Sequence, residues 1–120
     1  MVLRVTSKEK GILIFLTEEE LKDKFTHYRK ADGRFAWWEA PKFPKRLEDC
    51  AEFPLYIAVE GKVKGFFMVH EIYHHPDEEM HGFVFYPESW TSIRRGEKVK
   101  PRKGWQYYPK RKEEKHEQRS

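Results

Sequence analysis

A single cysteine, Cys50, in 120 residues excludes an intramolecular disulfide and agrees with a reducing compartment. It also has no histidine partner in the sequence and stands beside Asp49 and Glu52, neighbours that disfavour a thiolate nucleophile. Long apolar runs are missing as well. None approaches the roughly 18 residues a membrane helix needs, and Met1–Thr6 is strand-like rather than the apolar core of a signal peptide. The expectation is a cytoplasmic protein with no membrane partner. The seven glycines are scattered singly, so no Gly-rich phosphate loop is present, and Ser89, Thr91 and Ser92 lack the Gly-x-Ser-x-Gly frame of a nucleophile elbow.

What is abundant is charge and rings. Charged residues make up 37% and aromatic residues 16% against only 38% hydrophobic residues, so one modest core must be built largely from large rings. The surface resembles the Lys/Glu-rich composition of heat-stable intracellular proteins. The formal charge of +4 conceals a segregation. Residues 94–112 hold nine Lys/Arg against one acid, Glu97, for +8, whereas residues 1–93 carry −3 and residues 113–120 carry −1.

The local patterns predict a β-rich domain. Residues 11–16 read as a buried strand. Thr17 with Glu20 three residues on is a capping box opening a helix over 18–28, whose Leu21 and Phe25 share the buried side. Asp32-Gly33 is a turn, residues 34–40 are an aromatic strand, and residues 46–50 are a helical turn or a loop. Residues 54–59 and 63–73 form a hairpin around Gly61, and Gly65 inside the second strand marks a bulge or a close backbone approach. Residues 74–79 read as a polar loop, 80–86 as a strand, 87–93 as a turn with a short irregular piece, and 104–108 as a last short strand. The sum is five or six strands with one or two helices in an α+β domain over residues 1–109, followed by a charged, flexible tail over 110–120.

That order, with Trp37-Trp38-Glu39-Ala40-Pro41-Lys42 followed by Tyr56-Ile57-Ala58-Val59-Glu60-Gly61-Lys62-Val63-Lys64-Gly65-Phe66-Phe67-Met68-Val69, resembles the PUA-like superfamily. Its ASCH-type and EVE-type members, in an archaeal branch, are the nearest in character, and the resemblance covers residues 11–108. It implies a small, mostly antiparallel β-barrel with one principal helix that binds RNA or a modified nucleobase. Glu39 and Lys42 match the polar motif that borders the family's cleft. Pro41 interrupts the basic run expected there. The Thr, Lys and Glu by which some ASCH-type proteins hydrolyse acetylated cytidine have no clear counterpart, so no catalytic residue is carried over.

The residues themselves also point to nucleic acid. Arg94, Arg95, Arg102, Lys103 and Lys110 would neutralise phosphates, and Trp105, Tyr107 and Tyr108 would stack on bases. The bland alternative is that the rings fill the core and the cations only solubilise its edge. Trp37 and Trp38 face opposite ways in a strand, and which is buried stays open. Trp37 shares a side with Glu39, an arrangement suited to a stacked base held by its Watson–Crick edge, and Trp90 is placed to rim the same cleft. The expected role is an RNA-binding module, monomeric or a weak dimer. The alternatives are a small hydrolase of a modified nucleoside, with Glu39 as general base and Lys42 orienting the substrate, and a protein-interaction adaptor. No cofactor or metal is expected: His70, His74, His75 and His81 lie near carboxylates but fit no ligand spacing.

Overall fold

A buried parallel pair, β1 (Gly11–Phe15) beside β3 (Phe53–Val59), is the spine of the fold. Both strands are short apolar runs, and Ile12, Leu13 and Ile14 are fully buried although consecutive residues face opposite sides. A strand that reads apolar on both faces must be covered on both faces. A computed structural model of the protein describes residues 11–30, 36–76 and 79–109. Over these the chain is a small compact α+β domain, mostly sheet with one helix. Among the described residues no helix is long and apolar enough to cross a membrane.

The connection from β1 to β3 carries α1 (Glu18–Lys30), β2 (Ala36–Ala40) and a 3-10 turn at Lys45–Leu47. The capping box closes reciprocally: Thr17 N–H donates to Glu20 Oε1 at 2.9 Å, and Glu20 N–H donates to Thr17 Oγ1 at 3.0 Å. The hairpin turns on two residues, Glu60 (φ 53°) and Gly61 (φ 78°), between the paired Val59 and Lys62. Left-handed dihedrals at both positions match the right-handed twist of the flanking strands. β4 (Lys62–His75) therefore runs beyond the residues expected from sequence, and His74 and His75 belong to it rather than to a loop.

Among the described residues seven strands form one sheet: six follow the path β2-β5-β4-β3-β1-β7, where β5 is Met80–Phe85 and β7 is Gln106–Tyr108, and β6 (Thr91–Ser92) pairs with β4 off this path. All pairings except β1 with β3 are antiparallel. The sheet is open, with β2 and β7 as its ends. It is strongly irregular along β4, where the register slips opposite Ile57/Ala58 and again between Val69 and Glu71. Such bulges bend a strand and raise its twist. Gly65 sits at the first of them under Trp90, and an added Cβ would lie 2.4 Å from Thr91 O and 2.6 Å from the indole ring.

The main core fills one side of this bent sheet with Ile12, Ile14, Leu55, Ile57, Phe67, Val69, Phe83 and Phe85, roofed by Leu21 and Phe25 of α1 and by Trp90. Its rings interlock: Phe67 stacks on Phe85 at 4.4 Å, and Phe25 meets Trp90 edge-on at 6.0 Å. A smaller cluster of Leu13, Ala58 and Val63 fills the other side.

Candidate nucleic-acid interface

After Trp90 the chain turns back along β4 on the edge opposite β3. Thr91 and Ser92 pair with Phe66 and Gly65. Ile93 N–H then donates to Lys64 O at 2.8 Å, Val63 N–H to Glu97 O at 2.9 Å, and Val99 N–H to Gly61 O at 2.8 Å, with Lys62 bridged to Lys98 between them. The most basic part of the chain is thus an irregular extra rib of the sheet. Its apolar residues, Ile93 and Val99, pack against the Leu13, Ala58 and Val63 cluster. The cations between them, Arg94, Arg95 and Lys98, are exposed, and so are Lys100, Arg102 and Lys103 just beyond Val99. Gly96 lets the rib touch β4, because a Cβ there would stand 1.7 Å from the Val63 carbonyl oxygen.

Between this rib and β7 lies a groove of about 480 Å³ lined by Glu97, Lys98, Val99, Lys100, Arg102, Gln106 and Tyr108. Arg102 Nη1 donates to Gln106 Oε1 at 3.2 Å, which aims the guanidinium along the groove wall. The one acid, Glu97, is oriented by Tyr108, whose hydroxyl donates to Glu97 Oε1 at 2.6 Å. The Tyr108 ring packs edge-on against Tyr56 at 4.8 Å. Burial, and then the Glu97 hydrogen bond and charge, push the Tyr108 phenol well above the usual tyrosine range, so it stays protonated and keeps donating.

The rings expected to stack are divided between surface and core. Trp105 and Tyr107 pack on the main core and on each other, edge-on at 5.0 Å. They also tie β7 to the segment after β2. Trp105 Nε1 donates to Lys42 O at 2.9 Å, and Arg46 N–H donates to the Tyr107 hydroxyl at 3.1 Å. Above the same rings lie two cations, Lys42 Nζ at 5.4 Å from the Trp105 centroid and the Arg46 guanidinium at 4.7 Å from that of Tyr107. Trp90 is part of the core roof, fixed by Phe67 at 4.9 Å and by a hydrogen bond from its Nε1 to Ser92 Oγ at 3.1 Å.

Of the tryptophan pair, Trp38 is the core residue, packed on Phe83 at 5.6 Å, and Trp37 is 42% exposed. Trp37 and Glu39 share the outer side of β2, opposite Val84 and Gly82 of β5, at the far end of the sheet path from β7. Lys24 of α1 donates to Trp37 O at 3.0 Å along this edge. Burial lowers the Lys24 pKa, against the opposing pull of Asp23, Glu20 and Glu39. Tyr73, paired with Gly82, is pushed up by burial and by the charges of Glu39 and Glu71. Glu39 and Lys42 therefore act on different neighbours, Glu39 on Tyr73 and Lys24, Lys42 on Trp105. Lys110 lies outside the described residues.

Reading the sequence for candidate ligands missed Glu97, Lys98, Lys100 and Gln106, which line the groove together with Arg102 and Tyr108. The signal was present in the Lys-Val-Lys alternation at 98–100, which puts both lysines on one side of an extended segment. A second cavity, of about 250 Å³, opens where β4 continues past the start of β3, lined in part by Cys50, Glu48, His70 and Glu71. His70 is the residue bulged between Val69 and Glu71; it stacks on Tyr86 at 4.4 Å, and its Nε2 is buried without a hydrogen-bond partner. Among the described residues no group of three or more His, Cys, Asp or Glu is placed to hold a metal ion. No family model, curated protein or solved structure matches the chain.

Proposed function

We propose that this chain is an RNA-binding module of the PUA-like type, in which the rib over residues 91–103 holds phosphates and the outer edge of β2 offers a base platform. The observation that carries the reading is the fastening of the rib. Arg94, Arg95 and Lys98 stand on a backbone hydrogen-bonded to β4 and held again at Val99, with the half-buried Ile93 and Val99 packed beneath it, and Lys100, Arg102 and Lys103 follow directly. Cations on a fixed scaffold lose little conformational freedom when they meet phosphates, and each phosphate they neutralise releases counterions. A merely solubilising charge run has no need of such anchoring.

The wider likeness has support in the order of elements: strand, capped helix, aromatic strand, short link, hairpin and long bulged strand. The bridges from Lys42 and Arg46 to Trp105 and Tyr107 bring the region after β2 to β7, as a curled, barrel-like sheet requires. Trp37 is one of the two exposed large rings among the described residues, the other being Tyr86, and Glu39 is its same-side neighbour.

Fluorescence anisotropy of a labelled RNA oligonucleotide over a salt series tests both halves. Binding should weaken linearly in log–log form, and replacing Arg94, Arg95, Arg102 and Lys103 by Ala should lower the slope by about 0.7 for each phosphate contact removed. Trp37→Ala should cost about 1–3 kcal/mol in affinity with the slope unchanged. If the fourfold variant bound as tightly and with the same slope as the parent, the rib would not be the interface.

A further inference from the structure

We propose that Glu97, held by Tyr108, accepts a hydrogen bond from a ribose 2′-hydroxyl and makes the groove select RNA over DNA. The inference rests on the reading of the rib as a phosphate-binding surface and asks what a lone acid is doing inside it. Three cations line the groove, Lys98, Lys100 and Arg102, and among them stands one carboxylate. For a site that only attracts phosphates, that carboxylate is a defect, since it repels the anion the lysines draw in. Nor is it a stray side chain. Its Oε1 accepts the Tyr108 hydroxyl at 2.6 Å, and Tyr108 is itself fixed by Tyr56 and by the pairing of β7 with β1.

A carboxylate is an acceptor only, with two oxygens and about four lone-pair sites, so one phenol leaves it capacity toward the groove. The group that satisfies it must be a donor carried next to a phosphate. In a nucleic acid strand the 2′-hydroxyl meets that description; it is a donor as well as an acceptor, and it is what distinguishes RNA from DNA at a given position. The groove, at about 480 Å³, has room for a sugar and its phosphate. Lys98 and Lys100 flank the phosphate, Arg102 is aimed by Gln106, and Glu97 reads the sugar. Deoxyribose would leave the carboxylate facing phosphate with no donor between them, so the same acid that favours RNA penalises DNA.

Oligouridine and oligodeoxyuridine of equal length, which differ only at the 2′ position, separate this from general attraction to polyanions. Anisotropy at low salt should show the ribo form bound about tenfold tighter, the size expected of a hydrogen bond to a charged acceptor, with 2′-O-methyl oligouridine behaving like the deoxy form. Glu97→Gln should bind the deoxy form more tightly than the parent does, because the repulsion is gone, and the preference should shrink several-fold. Tyr108→Phe, which keeps the ring but releases the carboxylate, should shrink it as well. A parent protein that binds both oligomers equally, or a preference that survives both substitutions, overturns the role of Glu97 and leaves the phosphate rib standing. If neither oligomer binds the parent at low salt, the rib reading falls and this one with it.

Discussion

The two sides of the β1–β3 pair are covered in different ways. On one side a helix, a long bent strand and a roof of interlocked rings bury Phe67, Phe83 and Phe85 completely. On the other, Leu13, Ala58 and Val63 are the fully buried residues among those described, and their cover is Ile93 and Val99 of the basic rib with Phe15, Tyr56 and Tyr108. The first cover has most of the apolar area and so most of the stabilisation that burial provides. The second is thin, yet it seats the rib from Arg94 to Lys98 against β4. One side decides whether the chain folds, and the other what the folded chain presents.

Emptying the larger side should have the larger effect. Phe67 is fully buried and touches Phe25, Phe85 and Trp90. Phe67→Ala should cost about 3–5 kcal/mol in urea unfolding, a large part of the roughly 5–15 kcal/mol that holds a domain. The fraction that stays folded should bind RNA with the parent salt slope. A changed slope would show that the two sides are not separable.

Disturbing the smaller side should do the reverse. Gly96→Ala puts a methyl group into the Val63 carbonyl, and the rib must lift from β4 at that point. We expect about 1–3 kcal/mol of destabilisation, typical of an inserted methylene, accompanied by a loss of RNA affinity that Phe67→Ala does not show. Lost stability with RNA affinity intact would mean that the cations bind from a loose segment as well as from a fastened one.

Much of the larger side is legible in the sequence. The apolar run over residues 11–16, the capping box at Thr17 and Glu20, the hairpin around Gly61 and the glycine marking a bulge at Gly65 are local signals, and each corresponds to an observed element. The extension of β4 through His75 was hidden because His74, His75 and Pro76 look like loop residues, and pairing with Met80 and His81 overrides that preference. The smaller side was legible only as composition. A run of nine cations announces charge, but not that Ile93 and Val99 turn inward or that Glu97 meets Tyr108, since those depend on backbone hydrogen bonds to Lys64 and Gly61 and from Val63, about 30–40 residues back along the chain. Which tryptophan of the pair is buried depended on the register of β2 against β5, where Trp38 meets Phe83. That register is a long-range fact with no local marker.

Tyr108→Phe gives the smallest effect and the sharpest view of the thin side. At neutral pH it removes one exposed hydrogen bond while keeping the ring against Tyr56, so the loss should be about 0.5–1.5 kcal/mol. The pH dependence carries more information. An unfolded tyrosine titrates near 10, and in the folded chain burial and Glu97 raise Tyr108 above that. Between those two values the folded state keeps a proton that the unfolded state has released, so stability falls as pH rises. The contribution is fully present below about pH 10 and is lost progressively on the alkaline side. Tyr56 and Tyr73 are raised too, both chiefly by burial, so the substitution should reduce the alkaline decline and not abolish it. Urea unfolding from neutral to strongly alkaline pH reads this directly: the two curves should converge as the parent loses what the variant never had. Parallel curves over the whole range would mean that the phenol does not hold its proton against Glu97. The carboxylate would then lack the fixed orientation on which its reading of a ribose depends.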